Sequence, residues 1–216
     1  MACHECIEIY YDWDLQMTYS DAGTGANTDC SIWGNRNDDM GYGCFMVGDY
    51  YNQYYNQPTG YKYCIVDDRW DIIAQPVNWH KGWDDRSTGG NSDGSFWWPE
   101  CPLGYGAIGG VATHQSNGQE YLDWNPQKNY FCISTGCLNY DYSDNLVWTD
   151  AGSGGSYDAH IYETAEGVIM PTYLNSWDHL PFYTLHEDCL DREYMFKKAA
   201  KPGFSPKKLI KDLFFI

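Results

Sequence analysis

Hydrophobic positions in this chain fall into short, aromatic-rich runs separated by glycine-rich polar stretches, a pattern that predicts short strands joined by glycine turns. One stretch shows the pattern three times. Tyr19, Asp21, Thr24, Gly25, Asp29, Ile32 and Trp33 recur as Trp83, Asp85, Thr88, Gly89, Asp93, Phe96 and Trp97, and again as Trp148, Asp150, Ser153, Gly154, Asp158, Ile161 and Tyr162. The shared pattern is [YW]-x-D-x-x-[ST]-G-x-x-x-D-x-x-[IF]-[WY], and its copies start 64 and 65 residues apart. In each copy an aromatic ends one strand, a glycine turn follows, and the second Asp opens a strand whose last two motif residues face opposite sides of a sheet. Three such units predict three small sheets that share one core around an axis, because none of them buries its aromatic face alone.

The repeat continues past the motif, since residues 41–48 (GYGCFMVG) resemble residues 104–111 (GYGAIGGV), with a degenerate version near Gly167. The pattern ends in the last quarter of the chain. Ser205 and Pro206 give a helix cap and a first-turn proline, and Leu209, Ile210, Leu213 and Phe214 follow at helical spacing, which predicts a short helix over 205–215. The expected division is a domain over 1–190 and a basic tail over 191–216.

Composition supports the all-β reading. With 20 Tyr, 10 Trp and 22 Gly in 216 residues, long amphipathic helices are hard to build. A chain of this length buries about 70% of its unfolded surface and does not depend on a disulfide scaffold. The net charge of −17 is uneven: seven of the 13 Lys and Arg lie between Arg192 and Lys211. Residues 1–191 therefore hold six basic groups against 28 acidic ones, a body at −22 that repels phosphate backbones and disfavours nucleic acid. Lys207, Lys208 and Lys211 offer the tail a membrane surface or a protein partner, or else rest on the acidic body. Nine cysteines leave at least one unpaired within a single chain and keep the redox compartment open. No apolar run is long enough for a membrane span, and the first residues lack a signal peptide's pattern, so the expected location is cytoplasmic unless a leader has been removed.

The motif copies, together with residues 96–112 (FWWPECPLGYGAIGGVA), resemble the Vps62 family, a group related to β-prism domains, over roughly residues 10–165. Where that family carries Gly-Asp-Val, this chain has Gly109, Gly110 and Val111, with Gly48 and Asp49 in the first copy. The G-x-x-x-D element also resembles the sugar-binding loop of jacalin-related lectins, whose β-prism has threefold pseudo-symmetry. The resemblance implies a β-prism of three pseudo-symmetric units and a carbohydrate-binding, lectin-like function with glycans or glycoconjugates as partners.

The candidate sugar-binding residues are Gly25, Asp29, Gly89, Asp93, Gly154, Gly155, Tyr157 and Asp158. A sugar presents vicinal hydroxyls that donate to a fixed carboxylate and accept from backbone N–H groups, and glycine lets a turn aim those groups at one point. Tyr157 is the ring best placed by sequence to cover the apolar face of a pyranose. The competing reading is that these aspartates accept hydrogen bonds within their own turns. For Asp21, Asp85 and Asp150 the turn-forming role is the expected one, and the repeated aromatics are expected in the core or on sheet faces.

Other chemistry is weakly signalled. Cys3 and Cys6 form a C-x-x-C that Cys132 and Cys137 complete only at irregular spacing, so buried thiols or a disulfide are expected rather than zinc. The chain has no calcium loop, no nucleophile elbow, no P-loop and no dinucleotide fingerprint, and its six His are scattered. A binding module without cofactors, not an enzyme, is the expectation. The alternative is a structural, assembly or membrane-associated protein in which the repeats only build the fold.

Overall fold

The computed structural model describes residues 8–11, 15–34, 45–58, 61–65, 72–86, 88–91, 93–114, 130–142, 145–155, 158–172, 181–186 and 189. The helix expected at 205–215, together with Cys3, Cys6 and Tyr157, lies outside the described residues. Within them the chain is all-β, with one 3-10 turn at Thr135–Cys137 and no α-helix. The strands of the first part are β1 (Glu8–Tyr11), β2 (Gln16–Ser20), β3 (Ser31–Gly34), β4 (Phe45–Met46), β5 (Tyr50–Asn52) and β6 (Tyr61–Ile65). Then come β7 (Ile73–Ala74), β8 (Asn78–Asp84), β9 (Ser95–Glu100), β10 (Tyr105–Gly106), β11 (Val111–Thr113) and β12 (Cys132–Ser134). The last are β13 (Leu138–Tyr142), β14 (Leu146–Thr149), β15 (His160–Glu163), β16 (Ile169–Pro171) and β17 (Pro181–Leu185).

Six small antiparallel sheets form among the described residues, where the motif copies alone pointed to three. Three of them share one plan and carry the motifs: β2-β3-β5, β8-β9-β11 and β14-β15-β16. In each, the first two strands form a hairpin whose register slips just before the motif aromatic, at Met17/Tyr19, Lys81/Trp83 and Leu146/Trp148. Such a bulge increases local twist and re-aims the side chain that follows it. Here Tyr19, Trp83 and Trp148 point into one shared cluster with Ile32, Phe96 and Ile161. The three rings stand edge to face, with centroids 5.9, 6.0 and 6.3 Å apart.

The middle strands place their two closing motif residues on opposite faces, as alternation requires. Ile32, Phe96 and Ile161 join that cluster, while Trp97 lies in, and Trp33 packs against, a second core around Met46, Val47, Ile108, Val111 and Val168. Tyr162 lies in a third, with Met170 and Phe182. The strands β3, β9 and β15 begin two residues after the second Asp, later than expected. The residue between them is tied to the loop by the first Asp and is not available to open the ladder.

A closed cycle of backbone hydrogen bonds holds the three motif-bearing parts together. Asp49 N–H donates to Gly110 O at 2.9 Å, Gly110 N–H to Ile169 O at 2.8 Å, and Ile169 N–H back to Asp49 O at 2.7 Å. The buried Asp49 carboxylate adds bonds from Thr18 Oγ1 (3.1 Å), Ala112 N–H (2.8 Å) and the Tyr130 hydroxyl. Cys101 and Cys132 form a disulfide that staples the end of β9 to β12, and Cys137 is buried in the second core. Cys132 is therefore no zinc ligand, and no metal-binding group of three His, Cys, Asp or Glu occurs among the described residues.

Candidate functional site

The three glycine turns gather at one end of the hairpins, as loop 1 (21–29), loop 2 (85–93) and loop 3 (150–158), and each is built the same way. The first Asp donates its backbone N–H across the hairpin, Asp21 N–H to Cys30 O (3.1 Å), Asp85 N–H to Gly94 O (3.1 Å) and Asp150 N–H to Ala159 O (3.2 Å). Its carboxylate takes the N–H of that same residue, from Cys30 at 2.9 Å, Gly94 at 2.6 Å and Ala159 at 2.7 Å. A turn follows, in which the N–H groups of Thr24, Thr88 and Ser153 return to the carbonyls of Asp21, Asp85 and Asp150. The hydroxyls of Thr24, Thr88 and Ser153 then accept from Ala26, Gly90 and Gly155 N–H. Gly25, Gly89 and Gly154 next take φ of +82°, +76° and +76°, a region where a side chain is strained.

The two aspartates of each loop thus divide their work. Asp21, Asp85 and Asp150 are buried clamps. Asp29, Asp93 and Asp158 are exposed. Burial pushes the carboxyls of Asp21 and Asp150 above their ordinary range and that of Asp85 to about 6, and in each loop the second Asp adds like-charge repulsion. The loops also touch one another. Asn91 N–H of loop 2 donates to Ala22 O of loop 1 at 2.9 Å, and Asn27 N–H of loop 1 to Ala151 O of loop 3 at 3.1 Å. A Cβ on Gly155 would come 3.1 Å from Thr88 Cγ2, which places loop 3 beside loop 2.

All the expected glycines and aspartates, Gly25, Asp29, Gly89, Asp93, Gly154, Gly155 and Asp158, are therefore brought to one end of the fold. The copies differ in their surroundings. At loop 1 the Tyr55 hydroxyl donates to Asp21 Oδ1 at 2.8 Å and lies 3.2 Å from Asp29 Oδ1. At loop 2 Asp84 holds Lys81 Nζ at 2.8 Å and the Arg86 guanidinium at 2.7 and 2.9 Å, which keeps its carboxyl below the usual range despite burial. The sequence reading missed Tyr55. Its signal was the tyrosine cluster at Tyr50, Tyr51, Tyr54 and Tyr55, but nothing local connects that cluster to a loop more than twenty residues earlier.

No family model matches the chain, and no curated protein matches it by sequence. Among solved structures, GNIP1Aa from Chromobacterium piscinae is similar, with a TM-score of 0.68 and 18% sequence identity over 91% of this chain. The chain spans 40% of the length of GNIP1Aa. At that identity the likeness is one of fold, shared between this all-β chain and a part of a longer protein.

Proposed function

We propose that this chain is a carbohydrate-binding module of β-prism type, with three pseudo-symmetric units whose G-x-x-x-D loops hold sugar hydroxyls at one end of the molecule. The observation that carries this reading is the division of work between the two aspartates. A loop that needed only to close on itself is already closed by the first Asp. The second Asp adds an exposed carboxylate able to accept from a sugar hydroxyl, in a loop whose glycine takes positive φ and carries no side chain. Three loops of one construction, the shared aromatic cluster and the cyclic bonding of Asp49, Gly110 and Ile169 support the threefold architecture. Shallow sites side by side act through avidity on repeated glycans. The module acts by binding, not catalysis.

The test is a glycan array probed with intact protein and with the triple variant Asp29→Ala, Asp93→Ala, Asp158→Ala, its folding checked by circular dichroism. Binding by the wild type that disappears in the folded variant is the expected result. A well-folded wild type that binds no glycan sinks the reading. One observation favours an assembly role as the second reading: at the opposite end of the β8–β9 hairpin, Leu103 is fully exposed on a turn fixed by the Tyr105 N–H to Pro102 O bond and by the adjacent disulfide. Val77 is also exposed at that end, where its N–H bonds Glu100 O.

A further inference from the structure

We infer that loop 1, with Tyr54 and Tyr55 beside it, is the principal ligand subsite, taking a neutral pyranose whose apolar face stacks on the Tyr55 ring and whose hydroxyl donates to Asp29. The inference rests on the carbohydrate-binding reading above and makes the three loops unequal. Tyr54 and Tyr55 are 65% and 44% exposed, so neither ring is there to fill the core. Yet the corner that carries them is held from several sides. Asn52 Oδ1 accepts Tyr54 N–H at 3.0 Å, and Asn52 Nδ2 donates to Asn56 O at 2.7 Å. The buried Ser31 hydroxyl reaches Tyr54 O at 2.6 Å and in turn accepts the Trp33 indole N–H at 2.8 Å. The Tyr55 phenol is then fixed at its far end between Asp21 and Asp29.

An exposed aromatic ring whose flanking residues and hydroxyl are both anchored loses little freedom when a ligand covers its face, which is the condition for favourable stacking. Burial and the two carboxylates push the Tyr55 phenol upward, so it stays protonated and keeps donating. Among the described residues this device is seen in the first copy, and the register of the sheets gives its equivalent positions in the other two. Asn52 faces Ser31 as Thr113 faces Ser95, and Thr172 N–H bonds His160 O at the matching place. Three residues further along the sequence come Tyr55, Ser116 and Asn175, the last two of which lie outside the described residues. Asp21, Asp29, Asp85, Asp93, Asp150 and Asp158 make this end acidic, which disfavours sialylated, uronic or sulfated sugars and leaves neutral ones.

The experiment compares wild type with Asp29→Ala, Tyr55→Ala, Tyr55→Phe, Asp93→Ala and Asp158→Ala on an array of neutral and acidic glycans, each variant checked for an unchanged thermal transition. Expected are neutral glycans as ligands, a loss of about tenfold or more for Asp29→Ala and Tyr55→Ala, and a loss of only a few fold for Tyr55→Phe, which keeps the ring. Asp93→Ala and Asp158→Ala remove secondary sites and should lose only a few fold, clearly less than Asp29→Ala, by the same scale. Wild-type binding that survives Tyr55→Ala, or that falls as far with Asp93→Ala or Asp158→Ala as with Asp29→Ala, overturns the inference and leaves the carbohydrate reading standing. Tighter binding by Tyr55→Phe also overturns it, because the phenol would then be a cap over Asp29. An array that the wild type does not bind overturns both.

Discussion

Trp148 donates its indole N–H to Asp21 Oδ2 at 3.0 Å, and the Trp83 side chain hydrogen-bonds Asp150, so two of the three clamp carboxylates are served by the aromatic of a neighbouring copy. The residue that would serve Asp85 in the same circuit is Tyr19, and it fails to do so. Both Asp85 Oδ2 and Tyr19 Oη are buried without a hydrogen-bonding partner among the described residues. Gly94 gives Tyr19 its room: a Cβ there would run into the Tyr19 ring, whereas the matching positions are Cys30 and Ala159. With a folded pKa of about 6 against an ordinary value of 3.8, Asp85 binds protons more readily in the folded chain than in the unfolded one. Its ionised form therefore weakens the fold above pH 6, and that penalty is relieved as pH falls from about 6 towards 4. Asp85→Asn keeps the acceptor for Gly94 N–H, and it should be more stable than wild type by about 1–2 kcal/mol at pH 7.5, with the gap closing by about pH 4.5. Tyr19→Trp should narrow the same gap by supplying the missing indole donor. Urea unfolding of the three proteins across that pH range checks both, and a gap that stays constant with pH rules out Asp85 as its source.

At the scale of the loop, the clamp predicts which aspartates the fold needs. Asp150→Ala strips the acceptor from Ala159 N–H and from Trp83, leaving buried donors unpaired, and should cost about 2–4 kcal/mol. Asp158→Ala changes an exposed group and should cost under about 0.5 kcal/mol. Equal losses in chemical denaturation would mean that both aspartates build the loop. Much of this element was legible in the sequence, because turn-forming Asp, the glycine with positive φ and the paired closing residues act over fewer than fifteen positions. The later start of β3, β9 and β15 was not legible, since it depends on which N–H the first carboxylate takes. Tyr55 and the Asp85 defect were not legible either. Both depend on how one hairpin sits against another, which a single copy of the motif does not encode.

For the whole molecule the decisive contacts lie where the chain repeats least clearly. Asp49, Gly110 and Ile169 close their cycle through backbone atoms, so their side chains are free to differ, and the third copy's match at this point is correspondingly faint. What the cycle does require is close approach. A Cβ on Gly109 would sit 2.6 Å from Val168 Cγ2 and 3.0 Å from Ile169 O, both belonging to the sheet of the third motif. Gly109 N–H also donates to Val47 O at 3.0 Å, so a shift there disturbs the first part of the chain as well. Gly109→Ala should therefore force the parts away from one another and cost about 2–4 kcal/mol, the range of an overpacked core site with a strained contact. A change at Gly89, whose added Cβ would meet nothing within 4 Å, carries the backbone strain alone and should cost about 1 kcal/mol. If the three motif-bearing sheets unfold as one unit, both variants keep a single denaturation transition with an unchanged urea slope, and Gly109→Ala merely shifts its midpoint further. A second transition in Gly109→Ala would show instead that the sheets have separate stabilities and that the cycle only docks them.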